Sequence, residues 1–173
     1  LVVDAEAGFG NGRVIPAGPL REPVAAGLKR ADLVLLMGPE PARRKVLKDW
    51  PALKDKPVAE GSLQPLPTGM PWKGLRCLAF AGIGRPGKFF STLRGTGAEV
   101  VETRAFPDHA AYSRAIVERL LREAAQLNAQ PVTTEKDAVR LPPDLRPKFL
   151  TLPVRLALAE RDALDAALDR ILA

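Results

Sequence analysis

The sequence predicts an α/β fold in which a mostly parallel sheet is flanked by helices. Short apolar runs rich in Leu, Val and Ala recur along the chain, and each is followed by a turn and a helical pattern. This alternation is typical of parallel sheets, because parallel strands need crossover helices. The 173 residues are 46% hydrophobic and 27% charged, so a buried core is expected and general disorder is not.

The first 56 residues carry two strands, each followed by a helix. A strand over 1–4 leads through a Gly/Pro-rich connection to a helix over 22–30. A second strand, 32–37, precedes a helix over 42–50, and Pro39 and Pro41 mark its start because proline is tolerated in the first helical turn. Chains seldom begin in an apolar strand, so we expect this chain to be the later part of a longer protein.

Segment 57–74 interrupts this rhythm with four prolines and three glycines, and we predict an extended linker there. Residues 75–173 then form a second, carboxyl-terminal α/β lobe. Its helix over 113–127 repeats apolar residues with a period near 3.6. The other predicted elements of this lobe are strands 76–81, 99–104, 131–134 and 150–158, and helices 86–94 and 161–173.

Composition excludes several classes of protein. One cysteine, Cys77, cannot form an intrachain disulfide, and it lies in an apolar run where a thiol behaves as a small buried hydrophobe. One His and one Cys cannot build a zinc site, and no apolar run approaches the roughly 20 residues that span a bilayer. Aromatic residues at 5% give little support for nucleic-acid binding. No secretion signal is visible, so a reducing, cytoplasmic setting is expected.

The first candidate site is the run GFGNGR from Gly8 to Arg13, followed by GPLRE around Arg21. Alternate glycines allow a backbone to approach a ligand closely, and arginines offer forked donors for phosphate oxygens. The alternative is a Gly/Pro surface loop with two solvated arginines. The net charge of +6 is compatible with a phosphorylated ligand but does not distinguish it from an anionic membrane surface.

The second candidate is a G-x-G-x-x-G turn at Gly82, Gly84 and Gly87, directly after a strand and before a helix. This pattern indicates a nucleotide or dinucleotide-binding module, in which Glu99 or Glu102 would hold a ribose. The alternative is an ordinary strand-to-helix turn with Pro86 at the first helical position.

Two further stretches follow predicted strand ends, where ligands bind in open α/β sheets. Asp108 and His109 come after the strand 99–104, and His109 is the one histidine of the chain and can carry a proton at neutral pH. The run TTEKD follows the strand 131–134, where Lys136 could meet an anion and Glu135 or Asp137 could cap a helix. Solvated or capping roles are the alternatives at both places.

Together these stretches resemble the tetraacyldisaccharide 4'-kinases of lipid A synthesis. The matching runs are DAEAGFGNGRVIPAGPLREP, AFAGIGRPGKFFSTL, TRAFPDHAAYS and VTTEKDAVRL. The resemblance implies transfer of the γ-phosphate of ATP, with Mg²⁺, to the 4'-hydroxyl of a tetraacyl disaccharide 1-phosphate, at the cytoplasmic face of the bacterial inner membrane. It also implies that the P-loop and the metal-binding segment precede this chain, so 1–56 would end a P-loop kinase lobe and this fragment alone would be inactive.

The resemblance assigns roles to five residues. His109 matches a histidine that would pair with an aspartate of the preceding segment to take the sugar hydroxyl proton, and Asp108 would orient the loop or the histidine. Arg21 matches an arginine placed near the nucleotide phosphates. Asn11 and Arg13 are placed near the substrate or the phosphates. The implied partners are the lipid A precursor and an anionic membrane surface, with no nucleic acid.

Overall fold

The computed structural model describes residues 1–172, and within them eight strands and six α-helices. The strands form two separate four-stranded sheets. The strands are β1 (Val2–Asp4), β2 (Val34–Met37), β3 (Val58–Pro65), β4 (Arg76–Ala81), β5 (Glu99–Ala105), β6 (Gln130–Thr133), β7 (Leu150–Thr151) and β8 (Val154–Leu158). The helices are α1 (Val24–Arg30), α2 (Glu40–Asp49), α3 (Pro86–Gly95), α4 (Arg114–Gln126), α5 (Glu135–Ala138) and α6 (Asp162–Leu172).

The first compact unit consists of Leu1–Leu63 together with the chain from Leu156 onward. Its sheet has the order β1-β2-β3-β8, and β1, β2 and β3 are parallel. Val34 and Leu36 of β2 are completely buried, because a strand between two parallel neighbours is covered on both faces. They pack in a core with side chains from α1 and α2, including Leu28 and Val46.

The second compact unit is Gln64–Arg155, and its sheet has the order β5-β4-β6-β7 with every pair parallel. The central strand β4 is completely buried from Cys77 to Ala81, as its continuous apolar run requires. Successive side chains of a strand point to opposite faces, so Cys77 and Ala79 pack with α3, whereas Leu78 and Phe80 pack with α4. The predicted fold class, a mostly parallel sheet flanked by helices, is confirmed.

Helix α4 shows how directly the sequence pattern becomes structure. Val117, Leu120 and Ala124 are buried along one face, at the spacing of an amphipathic helix. The side chain of Ser113 caps its start by accepting a hydrogen bond of 3.4 Å from the Ile116 amide. The helix therefore begins and ends within one residue of the predicted 113–127.

The chain is divided at different places from the predicted lobes 1–56 and 75–173. The predicted linker 57–74 contains the whole of β3. Pro57 precedes the strand and Pro65 is its last residue, so the residues between them keep the backbone amides that pair with a neighbouring strand. The predicted strand 150–158 is two strands in different sheets, interrupted between them at Leu152 and Pro153. The last strand and helix therefore belong to the first unit.

Among residues 1–172, no helix combines the length and the apolar character that crossing a bilayer requires.

Candidate functional site

Three loops of the second unit meet at the carboxyl ends of β5, β4 and β6, which are neighbouring parallel strands. The loop after β4 begins at Gly82, the loop after β5 carries Asp108 and His109, and the loop after β6 carries Thr134. This edge is where open α/β sheets bind ligands, because the loops there are free of the sheet ladder. The topology therefore brings three of the four predicted stretches together.

Asp108 and His109 lie at the exposed tip of the loop after β5. Their side chains are 51% and 76% exposed, and His109 Nε2 lies 3.9 Å from Asp108 Oδ2, which is too long for a hydrogen bond. The His109 backbone amide donates to Asp108 Oδ1 at 3.0 Å and to the Gly82 carbonyl at 3.1 Å. Asp108 thus fixes the backbone of the loop, while the imidazole stays open to a ligand.

His109 adopts a left-handed backbone conformation with φ of 59°. This region is uncommon for residues other than glycine, and only Asn128 shares it among the other described non-glycine residues. Such a conformation persists where the surroundings hold it, and it is found often at functional sites. The strain at His109 therefore marks this loop tip as a candidate site.

Asp137 lies beneath the same loops with a completely buried side chain. Its Oδ1 accepts hydrogen bonds from the Tyr112 hydroxyl at 2.8 Å, from the Gly82 amide at 3.1 Å and from Arg140 Nη2 at 2.6 Å. The Thr134 hydroxyl donates to Oδ2 at 2.6 Å. These four donors satisfy a charge that would otherwise be costly to bury.

The Tyr112 hydroxyl is buried beside Asp137. Burial raises the pKa of Tyr112 well above its usual value, and the hydrogen bond to Asp137 adds to the effect. Arg140 lies over the ring of Tyr112, with its guanidinium carbon 5.7 Å from the ring centre. Tyr112 is therefore a neutral donor to a charged acceptor.

The TTEKD run forms the start of helix α5, which agrees with the capping alternative, although the cap is Thr134 and not Glu135 or Asp137. Thr134 caps α5 by accepting from the Asp137 amide at 3.1 Å, and Glu135 and Lys136 are exposed. Sequence reasoning missed the burial of Asp137 and did not single out Tyr112 or Arg140. The one available signal was the spacing of Asp137 and Arg140, which allows an ion pair within a helical turn.

The glycine run of the first unit forms a compact loop. Gly8, Gly10 and Gly12 all have positive φ, between 55° and 72°, so side chains there would be strained. A Cβ at Gly10 would also lie 2.7 Å from the Pro19 ring. Phe9, between two of these glycines, is buried edge-on against Trp50 with ring centres 5.1 Å apart. The glycines are therefore explained by the folding of the loop itself.

Asn11 braces this loop, whereas Arg13 and Arg21 are exposed on it. The Asn11 side chain donates to the Ala17 carbonyl at 2.8 Å and accepts from the Arg13 amide at 3.1 Å. Glu22, the acid next to Arg21, pairs instead with Arg30 at 2.8 Å. Within the described residues Arg21 makes no ion pair, so its guanidinium is available to an anion.

In the G-x-G-x-x-G turn, Gly82 packs against other residues of the protein. A Cβ at Gly82 would lie 2.8 Å from the Tyr112 hydroxyl and 3.1 Å from the Pro107 carbonyl oxygen. The Gly82 amide, which a dinucleotide fingerprint would turn towards a pyrophosphate, donates to Asp137. This geometry fits a strand-to-helix turn rather than a dinucleotide site.

Residues 1–172 bring together no group of three or more His, Cys, Asp or Glu side chains that could hold a metal ion. Of the surface hollows in this part of the chain, one lies beside Trp72 and Phe149 and another beside Leu33 and Leu164, and neither of these two is lined by a predicted site residue. The candidate site is defined by exposed loop residues, with Asp108 and His109 at the loop tip.

Comparisons with known proteins agree on one family. A family model described as LpxK, tetraacyldisaccharide-1-P 4'-kinase, matches residues 1–173. Tetraacyldisaccharide 4'-kinases of Jannaschia sp. and Dinoroseobacter shibae are 55% and 56% identical to the chain over 172 residues. These matches cover 99% of this chain but 52% and 51% of the relatives, so the chain spans about half of their length.

A crystal structure of LpxK from Aquifex aeolicus, described as a complex with ATP, has a similar fold. The similarity covers 100% of this chain and 52% of that protein, with a TM-score of 0.65 and 24% sequence identity. At this identity the likeness extends to the fold alone.

Proposed function

Since the chain belongs to the tetraacyldisaccharide-1-phosphate 4'-kinase family, we propose that it is part of a kinase that phosphorylates a lipid A precursor. The reaction transfers the γ-phosphoryl group of ATP to the 4'-hydroxyl of a tetraacyl disaccharide 1-phosphate and yields lipid IVA. The observation that carries this proposal is the family match over residues 1–173, supported by relatives at 55% and 56% identity. Because the chain spans about half of those relatives, the remaining parts of the active site belong to the other half.

In this proposal His109 is the general base. Its imidazole accepts the proton of the sugar hydroxyl while a bond forms between that oxygen and the γ-phosphorus and the bond from the γ-phosphorus to the bridging oxygen of ADP breaks. The 76% exposure of the His109 side chain supports the role, because a base must reach the substrate. Asp108 orients the loop through the His109 amide.

Arg21 of the first unit binds phosphate oxygens of the nucleotide in this proposal. A guanidinium offers forked donors that match a phosphate, and Arg21 is exposed with no ion pair to displace among the described residues. Arg13 contacts the substrate or the phosphates from the same loop. Asn11 contributes there by holding the backbone of Arg13, as its two hydrogen bonds indicate.

Mg²⁺ does not fit the described residues of this chain, which offer no cluster of carboxylates. The sequence likewise lacks a phosphate-binding P-loop motif. We therefore place the metal ligands and the phosphate cradle in the other half of the kinase, and the chain alone should not transfer phosphate. A membrane-bound substrate would bring the enzyme to the cytoplasmic face of the inner membrane, where the excess of basic residues favours anionic lipid.

The proposal is tested by measuring phosphate transfer from ATP to the lipid precursor with the full-length kinase that contains this chain. His109→Asn is the sharpest variant, because asparagine tolerates positive φ and so removes the imidazole without adding backbone strain. We expect kcat to fall by roughly 10²–10⁴. Asn128→Ala does add strain at another position of positive φ in the same unit, and it should retain turnover, which would show that strain away from the site does not affect kcat. Unchanged turnover in His109→Asn would show that His109 is not the general base.

The role of Arg21 is tested separately. Arg21→Ala should raise KM for ATP and leave the melting temperature close to that of the parent, because the side chain is exposed. Lys29→Ala removes another exposed cation of the same unit and serves as the control for net charge. An equal change in KM for both variants would contradict a specific phosphate contact.

A further inference from the structure

Asp137 is a buried carboxylate that the proposed reaction does not use. Four donors surround it: Gly82 from the loop after β4, Tyr112 from the loop after β5, and Thr134 and Arg140 from the segment that contains Asp137 itself. Helix α5 has four residues, and Thr134 already caps its start, so the other donors to Asp137 add little to the stability of the helix. Apolar side chains usually fill a core with equal or greater stability than a buried ion pair, so stability alone does not account for Asp137.

The network around Asp137 continues directly to His109. The Gly82 carbonyl accepts hydrogen bonds from the His109 amide at 3.1 Å and from Arg140 Nη2 at 3.0 Å. Arg140 Nη1 donates to the carbonyl of Ala110, the next residue, at 3.1 Å. The backbone is therefore held on both sides of His109, at the place where its conformation is strained.

Arg140 and Gly82 make this link rigid. The Arg140 guanidinium donates to Asp137 in α5, to the Gly82 carbonyl after β4 and to the Ala110 carbonyl after β5, and its Nε donates to the Lys136 carbonyl. Three segments of the unit therefore fix its position. Gly82 joins the same network through its amide, which donates to Asp137. Both hydrogen bonds that hold the His109 loop, from its amide to Gly82 and from Arg140 to Ala110, therefore involve residues that are themselves bonded to Asp137.

We propose that Asp137, through Tyr112, Gly82 and Arg140, is a positioning residue: it holds the backbone of the His109 loop and so places the imidazole for proton transfer. The inference rests on the proposed function, in which His109 is the base. A base that is held in position is more often oriented for proton transfer. Displacement of a reacting group by about 1 Å can lower the rate by up to about 100-fold. Asp137 itself contacts neither substrate nor nucleotide in this scheme.

Tyr112→Phe in the full-length kinase tests the network with little change of shape. It removes one buried hydroxyl donor to Asp137 and leaves the ring packed against Phe80 and Phe106. Thr133→Val is the matched control, because it removes another buried hydroxyl of the same unit, one that donates to the Phe80 carbonyl at 2.8 Å. Both variants should shift the urea midpoint by a similar amount.

The two variants should differ in turnover. We expect Tyr112→Phe to lower kcat by roughly tenfold with KM for ATP unchanged, and Thr133→Val to keep the parent kcat. An equal loss of kcat in both would indicate a general effect of destabilisation and overturn the inference.

Arg140→Lys gives a second approach, since Arg140 is 23% exposed and the substitution keeps the charge while it removes the fork that reaches Ala110. It should also lower kcat, and full turnover there would contradict the positioning role.

A double mutant separates this inference from the proposed function. If the network acts through His109, adding Tyr112→Phe to His109→Asn should cause no further loss of kcat. A tenfold further loss would mean that Tyr112 acts independently of His109 and would overturn the inference. Full turnover in His109→Asn alone would reject the assignment of the base. A slow His109→Asn beside a fully active Tyr112→Phe would reject only the positioning role.

Discussion

The Tyr112 hydroxyl group donates a hydrogen bond of 2.8 Å to Asp137 Oδ1, although 25 positions separate the two residues in the chain. Tyr112 belongs to the loop after β5 and Asp137 to the helix after β6, and β4 lies between those strands. The bond therefore joins segments that follow two strands separated by a third, at the end of the sheet where ligands bind in such folds. It ties the folding of the second unit to the loop that carries His109.

The buried Tyr112 hydroxyl should make stability fall at high pH. Its pKa in the folded protein is raised above the usual value near 10, whereas the unfolded chain ionises at that value. Above pH 10 the folded state therefore retains a proton that the unfolded state has lost, and the free energy of unfolding decreases as pH rises. Below pH 10 the residue contributes no pH dependence.

Urea denaturation of the full-length protein between pH 8 and about 11 measures this effect. The parent should lose stability more steeply above pH 10 than Tyr112→Phe, because phenylalanine has no proton to lose. Tyrosinate absorbance, taken as the difference between parent and variant, reports the ionisation directly. A difference spectrum that titrates near pH 10 in the folded protein would contradict the burial of this hydroxyl.

Local patterns predicted much of this architecture, and long-range contacts account for what they missed. A buried position needs an apolar residue whatever its partners are. The apolar run from Cys77 to Ala81 and the periodicity of α4 can therefore be read directly from the sequence. The position of His109 after β5 followed from strand order in the same way. The partners of Asp137 lie 25 and 55 residues away, at Tyr112 and Gly82, and no local spacing indicates them.

The division into units was hidden for a related reason. Leu152 is buried in the core of the second unit, while Leu156 belongs to the first. An apolar run that leaves one sheet and enters another has the same composition as one continuous strand. Only the pairing partners, β6 for β7 and β3 for β8, distinguish the two cases.

Substitution of the glycines in the G-x-G-x-x-G turn should reveal packing and not ligand binding. Gly82→Ala should destabilise the protein by about 1–3 kcal/mol, because its Cβ would press on the Tyr112 hydroxyl and the Pro107 carbonyl. Gly87→Ala is the control, since nothing lies within 4 Å of its Cβ and it sits in α3. It should be neutral or stabilise by up to about 1 kcal/mol.

Chemical denaturation of both variants checks this prediction, and a titration with NADH completes it. Gly82→Ala should also lower kcat, because the same carbonyl holds the His109 amide. Saturable binding of NADH to the parent that Gly82→Ala abolishes would favour the dinucleotide interpretation instead. Equal stability of the two alanine variants would show that the contacts around Gly82 are not tight.

Asn11 should control the order of the loop that carries Arg13. Asn11→Ala removes both hydrogen bonds across the loop, to Ala17 and from Arg13, with an expected loss of about 1 kcal/mol. Because trypsin cleaves after arginine, limited proteolysis should show faster cleavage after Arg13 in the variant. Cleavage after Arg30 provides the internal reference, since that residue lies on α1. An unchanged ratio of the two rates would mean that Asn11 does not hold the loop.

The thiol of Cys77 should be inert in the folded protein. Cys77 is completely buried in β4, and burial raises the pKa of its thiol to about 11. Little thiolate therefore exists at pH 8, and the thiolate is the reactive form. Thiol titration at pH 8 should show a difference of one reactive thiol between the parent and Cys77→Ala in denaturant, and no difference under native conditions. Rapid reaction of Cys77 in the native protein would mean that the central strand opens far more readily than its burial on both faces allows.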